Sequence, residues 1–343
     1  GSNAFQGCGA LNEINLPTIN LLSIGDCAFQ ECKQLQKCEI PKSVNDIGKS
    51  AFDGCSAMKA IKISSNIKAI KDNTFNDCSS ITEIEIPEQV TSIGDRAFHC
   101  CSELKKVTIP EKVTRIGDFA FEQCNKLTKI QIPKSVIEIG RSVFAGCSSL
   151  TEITIPSDCL IATIPNSAFQ GCANLTTFVF STNIKAVEDY AFKGCTSLAN
   201  IQLSNCLSTI GISAFENCTS LTQISIPQNV KEIGNRTFSG CSTLEMISLP
   251  SALTTIGDQA FHGCSQLDNV TIPQKVTKIG NCAFEKCAKI SKLTIPKSVN
   301  EIGKSVFAGC TSLSEITIQK KSPITKIPNS AFQDCTALQK FAF

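Results

Sequence analysis

Cysteine is the residue type best able to do chemistry in this chain, with 21 among 343 residues. Thiolates ligate zinc, form disulfides and act as nucleophiles, and each role needs its own spacing. A zinc site calls for C-x-x-C with further Cys or His, and no such pair occurs. Fifteen of the cysteines fall three residues after a phenylalanine instead, from Cys8, Cys32 and Cys55 through to Cys310 and Cys335. One Cys per repeat at one register is a packing position, where a thiol acts as a small buried hydrophobe. Stacked turns would bring such cysteines to about 5 Å, but parallel side-chain vectors disfavour bridging. Reduced, buried thiols are therefore expected.

Acid and base groups are as sparse as the thiols are many. Glu83 and Glu85 share a strand face and have the residue types for general acid/base work, but no His, Arg or confined pocket accompanies them. The two histidines, His99 and His262, each follow a marker Phe about seven turns apart, too far to share a metal; they read as surface residues. No Ser-His-Asp or Cys-His grouping emerges, and Lys134-Ser135 and Lys297-Ser298 lack phosphate-cradling glycines. No catalytic, cofactor-binding or metal-ligating residue is assigned, and the chain is not expected to be an enzyme.

The elements that carry these residues repeat. The marker phenylalanines run from Phe5 and Phe29 to Phe307 and Phe332 in steps of 23, with 24 before Phe29 and 25 before Phe169 and Phe332. A period in the twenties suits a solenoid turn. In 104–110, Val107 and Ile109 alternate with Lys106 and Thr108, the pattern of a half-buried strand that Pro110 ends. Val113 and Ile116 point inward as a second short strand, and Gly117 permits a tight corner. Phe121, Cys124 and Leu127 at i, i+3 and i+6 suit a 3₁₀ or short helical turn. The longer steps, at 155–165 and 318–328, predict loop bulges. One repeat cannot bury its own apolar face, but a stack can. Residues 98–180 align with 261–343 at a constant offset, about 52 of 83 identical, so a seven-turn block is duplicated. The whole of 1–343 reads as a single array of about 15 turns, with residues 1–2 an expression remnant.

Composition narrows the function. A net charge of +2 offers no field for nucleic acid or anionic lipid. No Trp and one Tyr argue against a stacking platform for bases or sugars. No apolar run approaches the roughly 18 residues of a membrane span, so this stretch is not expected to enter a bilayer. The chain opens inside the repeat, without a signal peptide, and Phe341 and Phe343 close a strand with no visible cap. It is expected to belong to a longer array, and the Phe-rich end suggests end-to-end self-association.

The unit IPKSV-IEIG-RSVFAGCSSLTEI (132–153) resembles the treponemal, BspA-like class of leucine-rich repeat, and the match covers essentially the whole chain. The resemblance implies a right-handed, curved leucine-rich-repeat superhelix, mainly β, with a parallel sheet along its concave side. It also implies a surface or secreted protein of bacteria or parasitic protists, often an adhesin that binds host matrix proteins or other microbes. Departures are local: Ile63-Ser64, Phe180-Ser181, Leu203-Ser204 and Ile318-Gln319 lack the strand-ending Pro, and Cys38 replaces a strand Ile.

Function is expected in what varies, the outward residues of the concave strands. Early turns carry charges there: Glu13, Lys37 and Glu39, Lys62, Glu83 and Glu85, Lys106, Lys129, Glu152. The later middle carries none: Thr177 and Val179, Asn200 and Gln202, Gln223 and Ser225, Met246 and Ser248, Asn269 and Thr271. Charges return at Lys292, Glu315 and Lys340. The neutral stretch is the candidate site for a protein or glycan partner; the plainer alternative is a solvated ladder of amides and hydroxyls. An intracellular scaffold with reduced thiols and a structural spacer stand beside the cell-surface reading. Sequons at Asn174, Asn217, Asn235 and Asn269 matter only in a glycosylating host.

Overall fold

Alternating apolar residues give each turn one three-residue strand, with its central side chain buried and its two neighbours exposed, as in Lys106–Thr108 and Lys129–Gln131. A second strand of two residues follows, as in Arg115–Ile116 and Glu138–Ile139. The computed structural model describes residues 1–342; Phe343 lies outside the described residues. All strand pairing among them is parallel, with no α-helix, which makes the chain a β-solenoid. Its fifteen Phe rungs bound fourteen full turns. The residues group into two compact units, 1–161 with 167–175 and 162–166 with 176–343.

In the first unit, short strands at 69–70, 92–93, 115–116 and 138–139 form one four-stranded ladder. The longer strands pair two by two, Lys37–Glu39 with Ala60–Lys62, Glu83–Glu85 with Lys106–Thr108, and Lys129–Gln131 with Glu152–Thr154. The expected parallel sheet is thus present as strand pairs, interrupted every second turn. The second unit begins in the same way, with Thr177–Val179 on Asn200–Gln202 and Gln223–Ser225 on Met246–Ser248, and ends in a three-stranded sheet of Lys292–Ile295, Glu315–Ile318 and Lys340–Ala342.

The core is a set of ladders. Consecutive Phe rings stack at centroid distances of 5.1 to 5.8 Å in the first unit, from Phe5 to Phe169. In the second, Phe192 to Phe332 stack at 5.2 to 5.7 Å. Offset stacking at these distances suits the ring quadrupole. Val113, Ile116, Phe121, Cys124 and Leu127 are all fully buried, as the alternation requires.

The expected helical turn is corrected. Residues around each Phe form successive turns, with i→i+3 bonds such as Cys55 N–H to Phe52 O at 3.1 Å and Met58 N–H to Cys55 O at 3.0 Å. Helix propagation fails because the backbone is left-handed two residues before every marker Phe and again two residues after it. The second position is Gly in eight turns, whereas the first is never Gly and includes Arg96, Phe119 and Tyr190. The left-handed residues turn alternate N–H groups along the stack: Ser50, Phe52 and Gly54 donate to Asp72, Thr74 and Asn76 of the next turn at 2.8 to 3.0 Å. A helix would spend those donors on its own carbonyls.

Gly117 also acts differently from expectation. Its φ is not left-handed; a Cβ there would lie 2.3 Å from Asp95 Oδ1 and 2.6 Å from Asp95 N. The glycine permits close approach between turns, not a corner. The approach serves a cap ladder in which each Asp or Asn after this position accepts the N–H one turn on. The backbone N–H groups of Asp95, Asp118 and Arg141 donate to Oδ1 of Asp72, Asp95 and Asp118 at 2.9 to 3.0 Å. Where the strand-ending Pro is missing, buried Ser64 and Ser204 donate to Lys42 O and Thr182 O of the preceding turn.

Candidate functional site

Fourteen of the fifteen ladder cysteines are buried packing residues, and only Cys8 of the first turn is exposed. Cys55, Cys78, Cys101 and Cys124 are fully buried, and each Sγ donates to the carbonyl of the preceding turn's Phe at 3.1 to 3.3 Å. The same pattern runs through Cys218 to Cys310. Burial desolvates the thiolate and pushes Cys147, Cys241 and Cys310 up to about 12, the reverse of what nucleophilic or metal-binding cysteines need. All 21 cysteines are free thiols, and Cys8 and Cys206 are exposed.

One grouping went unread in the sequence. In the first six turns the position after the Phe forms its own polar ladder: Gln6, Gln30, Asp53, Asn76, His99 and Glu122. Links of 2.6 to 3.3 Å join each to the next. His99 is thus a half-buried rung, not a free surface residue, and Cys100 Sγ lies 3.6 Å from its Nε2. The cluster has the types of a Cys-His pair, but burial, together with the Asp77 and Glu122 carboxylates, pushes the Cys100 thiol up to about 11. That arrangement suppresses the thiolate. Its signal was present in the sequence as a polar residue recurring at the step of 23. No group of three or more His, Cys, Asp or Glu that could hold a metal occurs among the described residues. Glu83 and Glu85 stand exposed on their strand, with Lys106 and Thr108 opposite in register. Ser135 and Ser298 donate to Val113 O and Val276 O at 2.6 Å. No helix of the described residues is long and apolar enough to cross a membrane.

The neutral candidate residues all belong to the second unit and all are exposed. Pairing sets Thr177 beside Asn200, Val179 beside Gln202, Gln223 beside Met246 and Ser225 beside Ser248; a bridge adds Asn269 beside Met246. Asn269 and Thr271 flank buried Val270 on that same run. Gln202, Asn205, Gln223, Ser225, Met246 and Asn269 border an open depression of about 660 Å³. Val179 and Met246 are 67% and 54% exposed, high for apolar side chains on an ordered strand.

Among the described residues, side-chain hydrogen bonds are missing from this face, as they are at Thr108, Gln131 and Thr154 on the strands of the first unit, whereas several other polar columns are bonded. Elsewhere side chains bond from turn to turn: Thr91 and Thr114 to preceding carbonyls, and likewise Thr254 and Thr277. On the charged strands Lys62 pairs with Glu39 at 2.9 Å and Lys129 with Glu152 at 2.7 Å. Among the described residues, the side chains of Asn200, Gln202, Gln223, Ser225, Ser248 and Asn269 make no hydrogen bond within the protein. The depression of the first unit, about 320 Å³, is bordered by Lys105, Lys106, Lys129 and Glu152 instead.

Known proteins place this architecture. The model of the BspA type leucine rich repeat region matches residues 1–128, 114–245 and 231–343. A leucine-rich repeat protein from Bacteroides ovatus superposes with a TM-score of 0.63 at 26% identity, covering 96% of this chain and 91% of that one. A leucine rich cell surface protein from Faecalibacterium prausnitzii gives 0.54 at 26%, covering 96% and 85%. The pneumococcal vaccine antigen PcpA gives 0.53 at 22%, covering 90% and 74%, a likeness of fold. No protein with a curated description matches the chain. These matches together span the whole of the sequence, and the chain belongs to the BspA-type leucine-rich repeat family.

Proposed function

We propose that this chain is a non-enzymatic binding module of a cell-surface protein, and that it takes its partner on the uncharged strand face between Thr177 and Thr271. The observation that carries the reading is the unspent hydrogen-bonding capacity of that face, set between exposed Val179 and Met246. Polar groups that satisfy one another leave a partner little to gain; groups facing only water can exchange it for a partner at small cost. The cell-surface assignment draws on the Faecalibacterium protein, which matches over nearly the whole of this chain. The ladders elsewhere supply rigidity, which lowers the ordering cost of binding.

The test is a panel of immobilised extracellular-matrix proteins and glycans probed with the full chain and with the double variant Val179→Glu/Met246→Glu. Both residues are exposed, so the variant should fold with stability within about 0.5 kcal/mol of the parent. Loss of binding in the variant supports the face; unchanged binding to a partner that the parent recognises would refute it.

A further inference from the structure

The duplicated block allows one face to be compared with itself. Lys106 and Thr108 correspond to Asn269 and Thr271, and Thr177 and Val179 correspond to Lys340 and Ala342. The buried residues between them keep their character: Val107 corresponds to Val270 and Phe178 to Phe341. At both margins of the neutral stretch the scaffold was copied, while a lysine stands in one copy and an uncharged residue in the other. Lys340 contacts Glu315 at 2.5 Å, and Lys129 and Lys62 have carboxylate partners, so charge on this strand position is readily tolerated. Its absence over five consecutive turns is not a demand of the fold.

Resting on the binding face proposed above, we infer that its ligand is an extended, uncharged stretch of polypeptide. Face and ligand are matched by complementarity. At the strand positions themselves a charged segment would meet no countercharge and would lose hydration, a cost that only pairing offsets. Two exposed carboxylates, Glu245 and Asp268, stand one residue before Met246 and Asn269, and they disfavour sulfated or other anionic chains. No aromatic ring is exposed on these strands for a sugar to stack on. What is present matches peptide. Each Asn or Gln amide carries both a donor and an acceptor, as each peptide group does. Val179 and Met246 lie three turns and one pleat apart, about 16 Å at the usual strand spacings, which is four to five residues of extended chain. Methionine adapts to varied apolar side chains, so the two sites select apolar character over a particular shape.

A random dodecapeptide display library selected on the full chain tests this, with clones eluted by soluble parent chain and counter-screened on Val179→Glu/Met246→Glu. A neutral glycan array probed with the same two proteins runs alongside. The expected result is an enriched consensus of net charge near zero, with two apolar positions four to five residues apart and about tenfold or greater loss of affinity on the double variant. A consensus that depends on the face but is acidic or basic overturns the inference and leaves the binding face standing. So does binding of glycans alone that depends on the face. Ligands indifferent to the double variant, or no binding in either format, overturn both.

Discussion

Replacing Cys147 by alanine gives a stability difference that changes sign with pH. Cys147 is fully buried, its Sγ donates to Phe121 O at 3.2 Å, and burial holds its thiol at about 12 against 9.0 for an unburied one. At pH 8 the thiol is neutral in both states, and removing the sulfur costs about 1–2 kcal/mol of transfer and packing. The folded value is the raised one, so the stability it carries is complete below pH 9 and lost as pH rises towards 12. At pH 11 the unfolded thiol is ionised by two units and the folded one is not. This lowers parent stability by about 2.7 kcal/mol at this site, while the variant escapes the loss. The variant should be less stable at pH 8, level near pH 10 and more stable by about 1 kcal/mol at pH 11. Urea unfolding followed by far-ultraviolet circular dichroism under reducing conditions reads this directly. An unchanged gap between parent and variant at pH 8 and pH 11 would refute the buried-thiol account, because other alkaline titrations cancel in the difference.

Further expectations follow from the other ladders. Phe121→Ala removes a ring stacked at 5.2 and 5.5 Å between Phe98 and Phe144 and should cost about 3–5 kcal/mol in urea unfolding. Gly117→Ala adds a single methyl group, yet it drives Cβ into the Asp95 backbone; a loss of about 1–3 kcal/mol is expected, where a spacious glycine site would show stabilisation. Maleimide labelling at pH 7 with peptide mass mapping should modify exposed Cys206 in the folded chain and reach Cys55, Cys78 or Cys124 only in denaturant.

Strands and core were legible because each is written fifteen times. A single alternating segment around Val107 is ambiguous, but its recurrence at a fixed step with Phe121 and Cys124 in register leaves little freedom for the core. The helical turn misled because spacing at i, i+3 and i+6 reports which side chains share a face, and says nothing of where the N–H groups point. Glycine at eight of the positions two after Phe hints at left-handed backbone there, whereas the matching position two before Phe, occupied by Ser50, Arg96 or Phe119, gives no such hint. Gly117 read as a corner because the Asp95 backbone it must clear lies on a different turn. His99 was read alone, although Asn76 and Glu122 stand one period away on either side. The neutral face from Thr177 to Thr271 was visible as a run of uncharged residues. That its amides lack partners required coordinates, since the same residue types elsewhere do pair from turn to turn.

The central claim is a separation of roles, in which buried ladders hold the shape and the uncharged strand face selects the partner. It is tested most directly by measuring affinity and melting temperature together for Met246→Glu and Cys147→Ala, using a ligand recovered on the parent chain. Met246→Glu should abolish binding with an unchanged melting temperature, and Cys147→Ala should lower the melting temperature at neutral pH with binding intact. A Met246→Glu chain that still binds, or a folded Cys147→Ala chain that does not, would contradict it.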